Sequence, residues 1–189
     1  MKSASAILLQ AQLEQHKHDL RAHRDILYLD THTKIKHMTL HFIKYASRVL
    51  DARQQQSKAI LEKALLDSLI ICLATANALN LHVSKNSYIN AKNLDDLCTI
   101  LSQTSSSATD VYERALTALV VHSGKMAKAI ESTDHLERGD PRSVLEAEVE
   151  KLTLDILTII GSEGMKIGNL MSDRWNKVEE KNIFFGTTF

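Results

Sequence analysis

Two aspartates interrupt helical stretches that are otherwise apolar. Asp67 lies among Leu65, Leu66, Leu69, Ile70 and Ile71, and Asp155 among Leu152, Leu154, Ile156 and Leu157. A carboxylate buried without a partner is costly, so each must meet a cation or face a wet cavity. These two residues are the strongest candidates for chemistry in the chain.

The other reactive side chains offer less. His37 and His41 are four residues apart and share a helix face, but no Glu follows His37, as a His-Glu-x-x-His zinc site requires, and no third ligand is apparent. They read as surface or packing residues. His16, His18 and His23 fall on a charged N-terminal helix and read as solvated. Cys72 and Cys98 sit in apolar surroundings without metal-like spacing, which suits reduced thiols. No Gly-x-Ser-x-Gly elbow or Gly-rich phosphate loop appears, so nucleophilic catalysis has no anchor. Glu146, Glu148 and Glu150 open a helix, where negative charge favours the dipole. Trp175, followed by Ile183, Phe184, Phe185 and Phe189, forms the most aromatic segment; stacking over a ligand base is one reading, and packing on the bundle or on a partner subunit is the expected one.

The elements that position these residues are helices. One Pro and six Gly in 189 residues, with few aromatics, leave little turn or strand chemistry. Apolar periodicity predicts helices over 3–29, 33–53, 56–80, 93–103, 108–131, 142–161 and 166–181. Asp30 or Thr31 is placed to cap the second, 104–107 reads as a linker, and Gly139-Asp140-Pro141 is a turn signal. Gly161 and Gly164 punctuate the gap before the last helix. The longest apolar stretch, from Ala64 to Leu79, is shorter than a bilayer span and reads as a helix buried on nearly all sides.

A string recurs. Overlaying 62–71 on 150–159 matches Glu62 with Glu150, Lys63 with Lys151, Leu66 with Leu154, Asp67 with Asp155, Leu69 with Leu157 and Ile71 with Ile159. A helix pair that cannot bury its own apolar face gains by stacking on a copy of itself. The expectation is an all-α single domain over 1–189, with a four-helix-bundle core made from two repeated helix pairs, at 30–103 and 108–181, and additional flanking helices.

Duplicated helix pairs with a carboxylate in an apolar helix resemble the MazG-like all-α nucleoside triphosphate pyrophosphatases. The resemblance runs over about 35–80 and 110–181: 123–129 resembles that family's Gly-Glu-Leu-Ala core, and 154–157 its Ala-Asp-Val-Leu. It implies a Glu-x-x-Glu pair on one helix and a Glu-x-x-Asp pair on the next, holding magnesium so that water releases pyrophosphate from a nucleotide. Here those positions read His122, Lys125, Leu152 and Asp155 in the second half, and Tyr45, Arg48, Ala64 and Asp67 in the first. Glu62 and Glu150 do not substitute, because five residues before the aspartate they lie about 140° around the helix rather than about 60°. They read as solvent-facing.

Three readings follow from this pattern. Arg48 pairs with Asp67, and Lys125 with Asp155, as structural ion pairs. Alternatively, Arg48, His122 and Lys125 bind a nucleotide or another phosphate-bearing small molecule. In the third, Asp67 and Asp155 hold magnesium with acids from elsewhere, such as Glu131, Asp134 or Glu146, and the chain is an active pyrophosphohydrolase. The degenerate site, acting as a binding or structural module, is the leading expectation. Equal numbers of basic and acidic residues, 23 of each, argue against a nucleic-acid partner, and no segment suggests a membrane. No signal peptide is visible, so a cytoplasmic location is expected, and a homodimer is the expected assembly.

Overall fold

The computed structural model describes residues 1–85, 87–104 and 110–181. The chain is all-α: α1 (Ala4–Ala22), α2 (Arg24–Leu27), α3 (Thr31–Gln54), α4 (Lys58–Ala78), α5 (Leu94–Gln103), α6 (Val111–Asp134), α7 (Pro141–Ser162) and α8 (Ile167–Glu179). A two-residue strand β1 (Lys2–Ser3) pairs antiparallel with β2 (Asn90–Ala91) and ties the start of α1 to the start of α5. No helix among the described residues is long and apolar enough to cross a membrane.

Local sequence sets the helix ends. Asp30, Ser57, Asn93 and Asp140 each accept a backbone N–H three residues on, with Pro141 at the first helical position of α7. The expected helix over 3–29 instead breaks at His23, whose φ of −134° and ψ of 40° leave the helical region. The linker at 104–107 and the aromatic residues at 183–189 fall mostly or wholly outside the described residues.

Four helices form the core. Hairpins α3–α4 and α6–α7 pack together, α3 against α6 and α4 against α7. Ile35, Phe42, Val49 and Ala52 of α3, Leu61, Leu65, Leu69 and Leu73 of α4, Ala115, Leu119 and Met126 of α6, and Val149, Leu152, Ile156 and Ile160 of α7 share one buried core. Each large side chain so buried contributes roughly 1.5–3 kcal/mol. Buried hydroxyls inside these helices bond their own backbone: Ser68 donates to Ala64 O and Thr153 to Val149 O.

Gly161 belongs to α7 and does not punctuate the gap after it. A Cβ there would stand 2.0 Å from the Cys98 carbonyl oxygen, so this glycine sets how closely α5 approaches α7. Both cysteines are buried free thiols.

Helix α1 docks on α4 and α8 through a face that turns polar along its length. Ala4, Ile7 and Leu8 are followed by buried Gln12, Gln15, His18 and Asp19. Gln12 donates to Asn77 Oδ1 and to Leu81 O, and Asn77 donates back to Gln12 O. Buried amides so satisfied fix the register of α1 on the bundle.

Candidate functional site

Asp67 is buried, at 3% exposure, and is held by two guanidiniums. Arg174 of α8 donates from Nε to Oδ1 at 2.7 Å and from Nη2 to Oδ2 at 3.3 Å, and Arg48 of α3 donates from Nη1 to Oδ2 at 3.1 Å. The expected Arg48–Asp67 pair is therefore present. Arg174 is the partner that sequence reasoning missed, because α8 is brought over α4 only by the fold.

The second half departs from expectation. Asp155 is half-exposed rather than buried, and it faces His122, with Nε2 and Oδ2 3.0 Å apart, rather than Lys125. The buried acid is Glu148, which takes His122 Nδ1 at 2.6 Å, Lys151 Nζ at 2.9 Å and Lys125 Nζ at 3.5 Å. Glu148 precedes Asp155 by seven residues, about 20° from it around the helix, and that spacing is the signal that would have found it. Both ring nitrogens of His122 face carboxylates, which favours the doubly protonated ring; the Asp155 hydrogen bond, with help from Glu148, raises its pKa. Burial pushes the Glu148 carboxyl up, but hydrogen bonds from Lys151 and His122 outweigh it and leave it below its ordinary value.

These residues do not fit magnesium. Both oxygens of Asp67 are engaged by guanidiniums, Glu148 is surrounded by Lys151, Lys125 and His122, and among the described residues no metal-ligating cluster of acids forms around either. Glu131 pairs with Lys128, Asp134 with Lys36 and His32, and Glu146 with Arg142. Glu62 is a surface residue as expected, whereas Glu150 accepts the Ser84 backbone N–H at 2.7 Å.

A basic stripe runs along α3 from Asp67. Lys34, His37, His41, Lys44 and Arg48 recur every three or four residues and share one face. Lys44 Nζ donates to His41 Nδ1 at 3.0 Å and sits 4.7 Å over the Tyr45 ring, against which Arg48 also packs. The Nε2 atoms of His41 and His37 are 3.1 Å apart, close enough to share one proton. Burial, then Lys44 and the neighbouring histidines, push the His41 pKa down to about 4, so its ring is neutral at pH 7. Burial and then Arg48 also lower Lys44. The field along the stripe is positive.

Lys34, His37 and His41, at the N-terminal end of the stripe, line a cavity of about 450 Å³ between α1, α2, α3 and α4. Its wall combines apolar Leu20, Ile26, Met38 and Ile71 with His23, His37 and His41. Burial pushes the Asp19 carboxyl on its α1 side up to about 6, against a hydrogen bond from Gln15 that pulls it down. The expectation that His16, His18 and His23 are all solvated holds for His16 alone: His18 is 2% exposed and His23 half-buried.

No protein-family model matches the chain, and neither a curated protein nor a solved structure matches it significantly.

Proposed function

We propose that this protein binds a phosphate-bearing small molecule without magnesium and does not hydrolyse it, the phosphate resting on the α3 stripe and the organic part in the adjoining cavity. Arg48 contacts the phosphate as well as Asp67, joined by Lys44 and the donors of Arg174 that Asp67 leaves unused. His122 and Lys125 are engaged by Glu148 and Asp155 and serve the stability of α6 on α7. On this reading the chain is a MazG-like helix-pair duplication in which cations have taken the place of the metal.

One observation carries it: Asp67, at the position where the family's aspartate would ligate magnesium, has both oxygens taken by guanidiniums, and more positive charge surrounds it than it neutralises. Arg48 is 40% exposed and Arg174 26% as side chains, so donors remain on the surface. Guanidiniums with spare N–H groups suit phosphate oxygens, and an apolar cavity alongside suits a base or acyl group.

Calorimetric titration with pyrophosphate and with nucleoside mono- and triphosphates, each with EDTA and with magnesium, tests this. Binding is expected with EDTA, and Lys44→Gln is expected to weaken it about tenfold, as loss of one charge-assisted contact does. Magnesium-dependent release of pyrophosphate, abolished by Asp67→Asn, would overturn the reading.

A further inference from the structure

Among the described residues three acids are nearly fully buried, and they are not treated alike. Asp67 has two guanidinium partners and Glu148 an imidazolium and two ammonium groups, while Asp19, at 8% exposure, has no cationic partner among the described residues. Its Oδ1 accepts from Gln15 Nε2 at 2.8 Å, and Oδ2 accepts no hydrogen bond among those residues. A buried carboxylate left uncompensated is among the costliest features a core can hold. Two imidazoles stand beside it instead.

His18, Asp19 and His23 each place a ligand atom within 4.8 Å of the other two. The break in α1 makes this possible: Asp19 and His23 lie four residues apart, and the non-helical backbone at His23 turns its ring edge-on to His18, at 5.3 Å between centroids. The groups behind the three are arranged as metal ligands are usually supported. Glu179 Oε1 holds His18 Nδ1 at 2.9 Å and is itself tied to Arg21, which leaves Nε2 as the free ring nitrogen. Gln15 orients Asp19 and accepts the Trp175 indole N–H at 2.8 Å, and that indole stacks on His18.

We infer that His18, Asp19 and His23 bind one divalent transition-metal ion of the zinc class, with a coordination position open toward the α1–α3 cavity. Two imidazoles and one carboxylate suit zinc, cobalt or iron(II) and not magnesium. Bonds of about 2.0–2.2 Å set ligand atoms roughly 3.4 Å apart around zinc, so the widest pair in the site must close by up to about 1.4 Å. His23 can supply that movement, since its ring makes no hydrogen bond among the described residues and stands where the helix has already ended. The metal does not depend on the phosphate reading, and the following test contains no phosphate.

Tag-free full-length protein is titrated with cobalt(II), read by visible absorption and by quenching of Trp175, the chain's single tryptophan. One equivalent is expected to bind, zinc is expected to displace it, and zinc is expected to raise the melting temperature of the parent protein. Asp19→Asn and His23→Ala each weaken cobalt binding about 100-fold, and Glu179→Gln about tenfold, with helicity by circular dichroism unchanged. His16→Ala, an exposed control on the same helix, binds as the parent does. Metal-free Asp19→Asn melts no lower than the metal-free parent, because the uncompensated charge is gone; a purely structural Asp19 would give a lower melting temperature and unchanged cobalt binding. Cobalt binding by either Asp19→Asn or His23→Ala at the parent's affinity, or loss of binding in His16→Ala, overturns the inference.

Discussion

Arg174 donates from Nε to Oδ1 of Asp67 at 2.7 Å, joining α8 to α4 across 107 residues of chain. That contact, with Arg48 on the other oxygen, makes the first-half aspartate a structural anchor for three helices at once.

Removing one guanidinium leaves the other in place, so Arg174→Ala is expected to cost about 1–2 kcal/mol, as loss of charge-assisted hydrogen bonds does. Arg48→Ala costs less, since Arg48 supplies one bond and is the more exposed of the two. The double variant strands the carboxylate and is expected to lose about 3–5 kcal/mol, more than the two single losses added. Urea denaturation of the four proteins in the cycle measures this, and additivity would show that the two arginines do not share one load.

Stability is expected to fall as pH rises above neutrality, through His122. Its pKa is raised above 6.5 in the folded state by the Asp155 and Glu148 hydrogen bonds. A raised imidazole contributes fully below its unfolded pKa and loses that contribution as pH passes through the folded value. Asp19 titrates at about 6, His41 at about 4, and His18 and His23 are lowered by burial, while the raised Cys72 and Cys98 thiols act only as pH approaches their ordinary value near 9, so the window from about 6.5 to 8 isolates His122. Melting temperature against pH for the parent and His122→Gln tests the point, and a slope that survives the substitution would refute it.

Gly161→Ala is expected to destabilise by about 3 kcal/mol, the upper range for overpacking, because the new methyl meets backbone at Cys98 and no side chain can move aside. Gly124→Ala, where nothing stands within 4 Å, is expected to be neutral or slightly stabilising through helix propensity. Thermal melts of the pair give the comparison directly.

Neither thiol is expected to react with a disulfide reagent in the native protein. Burial pushes both Cys72 and Cys98 up to about 12, which leaves almost no thiolate at pH 8. Labelling rates in increasing urea should follow the unfolding curve, and rapid labelling in the absence of denaturant would mean that α4 or α5 opens locally.

The sequence by itself determined the helical class, the positions of the core helices to within a few residues at most ends, and the inward faces of α3, α4, α6 and α7, because period and capping are local properties of the chain. It also held the Arg48–Asp67 pair and the basic spacing of Lys34, His37, His41, Lys44 and Arg48. Beyond that pair, tertiary structure alone decided which charges meet. Two aspartates at matching places in one repeated string ended in different environments, Asp67 clamped beneath α8 and Asp155 on the surface beside His122, since burial depends on what packs over a helix and not on the helix itself. The same holds for α1: its histidines and Asp19 look like a solvated charged face in sequence, and became a buried cluster only because α1 folds back over α4 and α8 and breaks at His23.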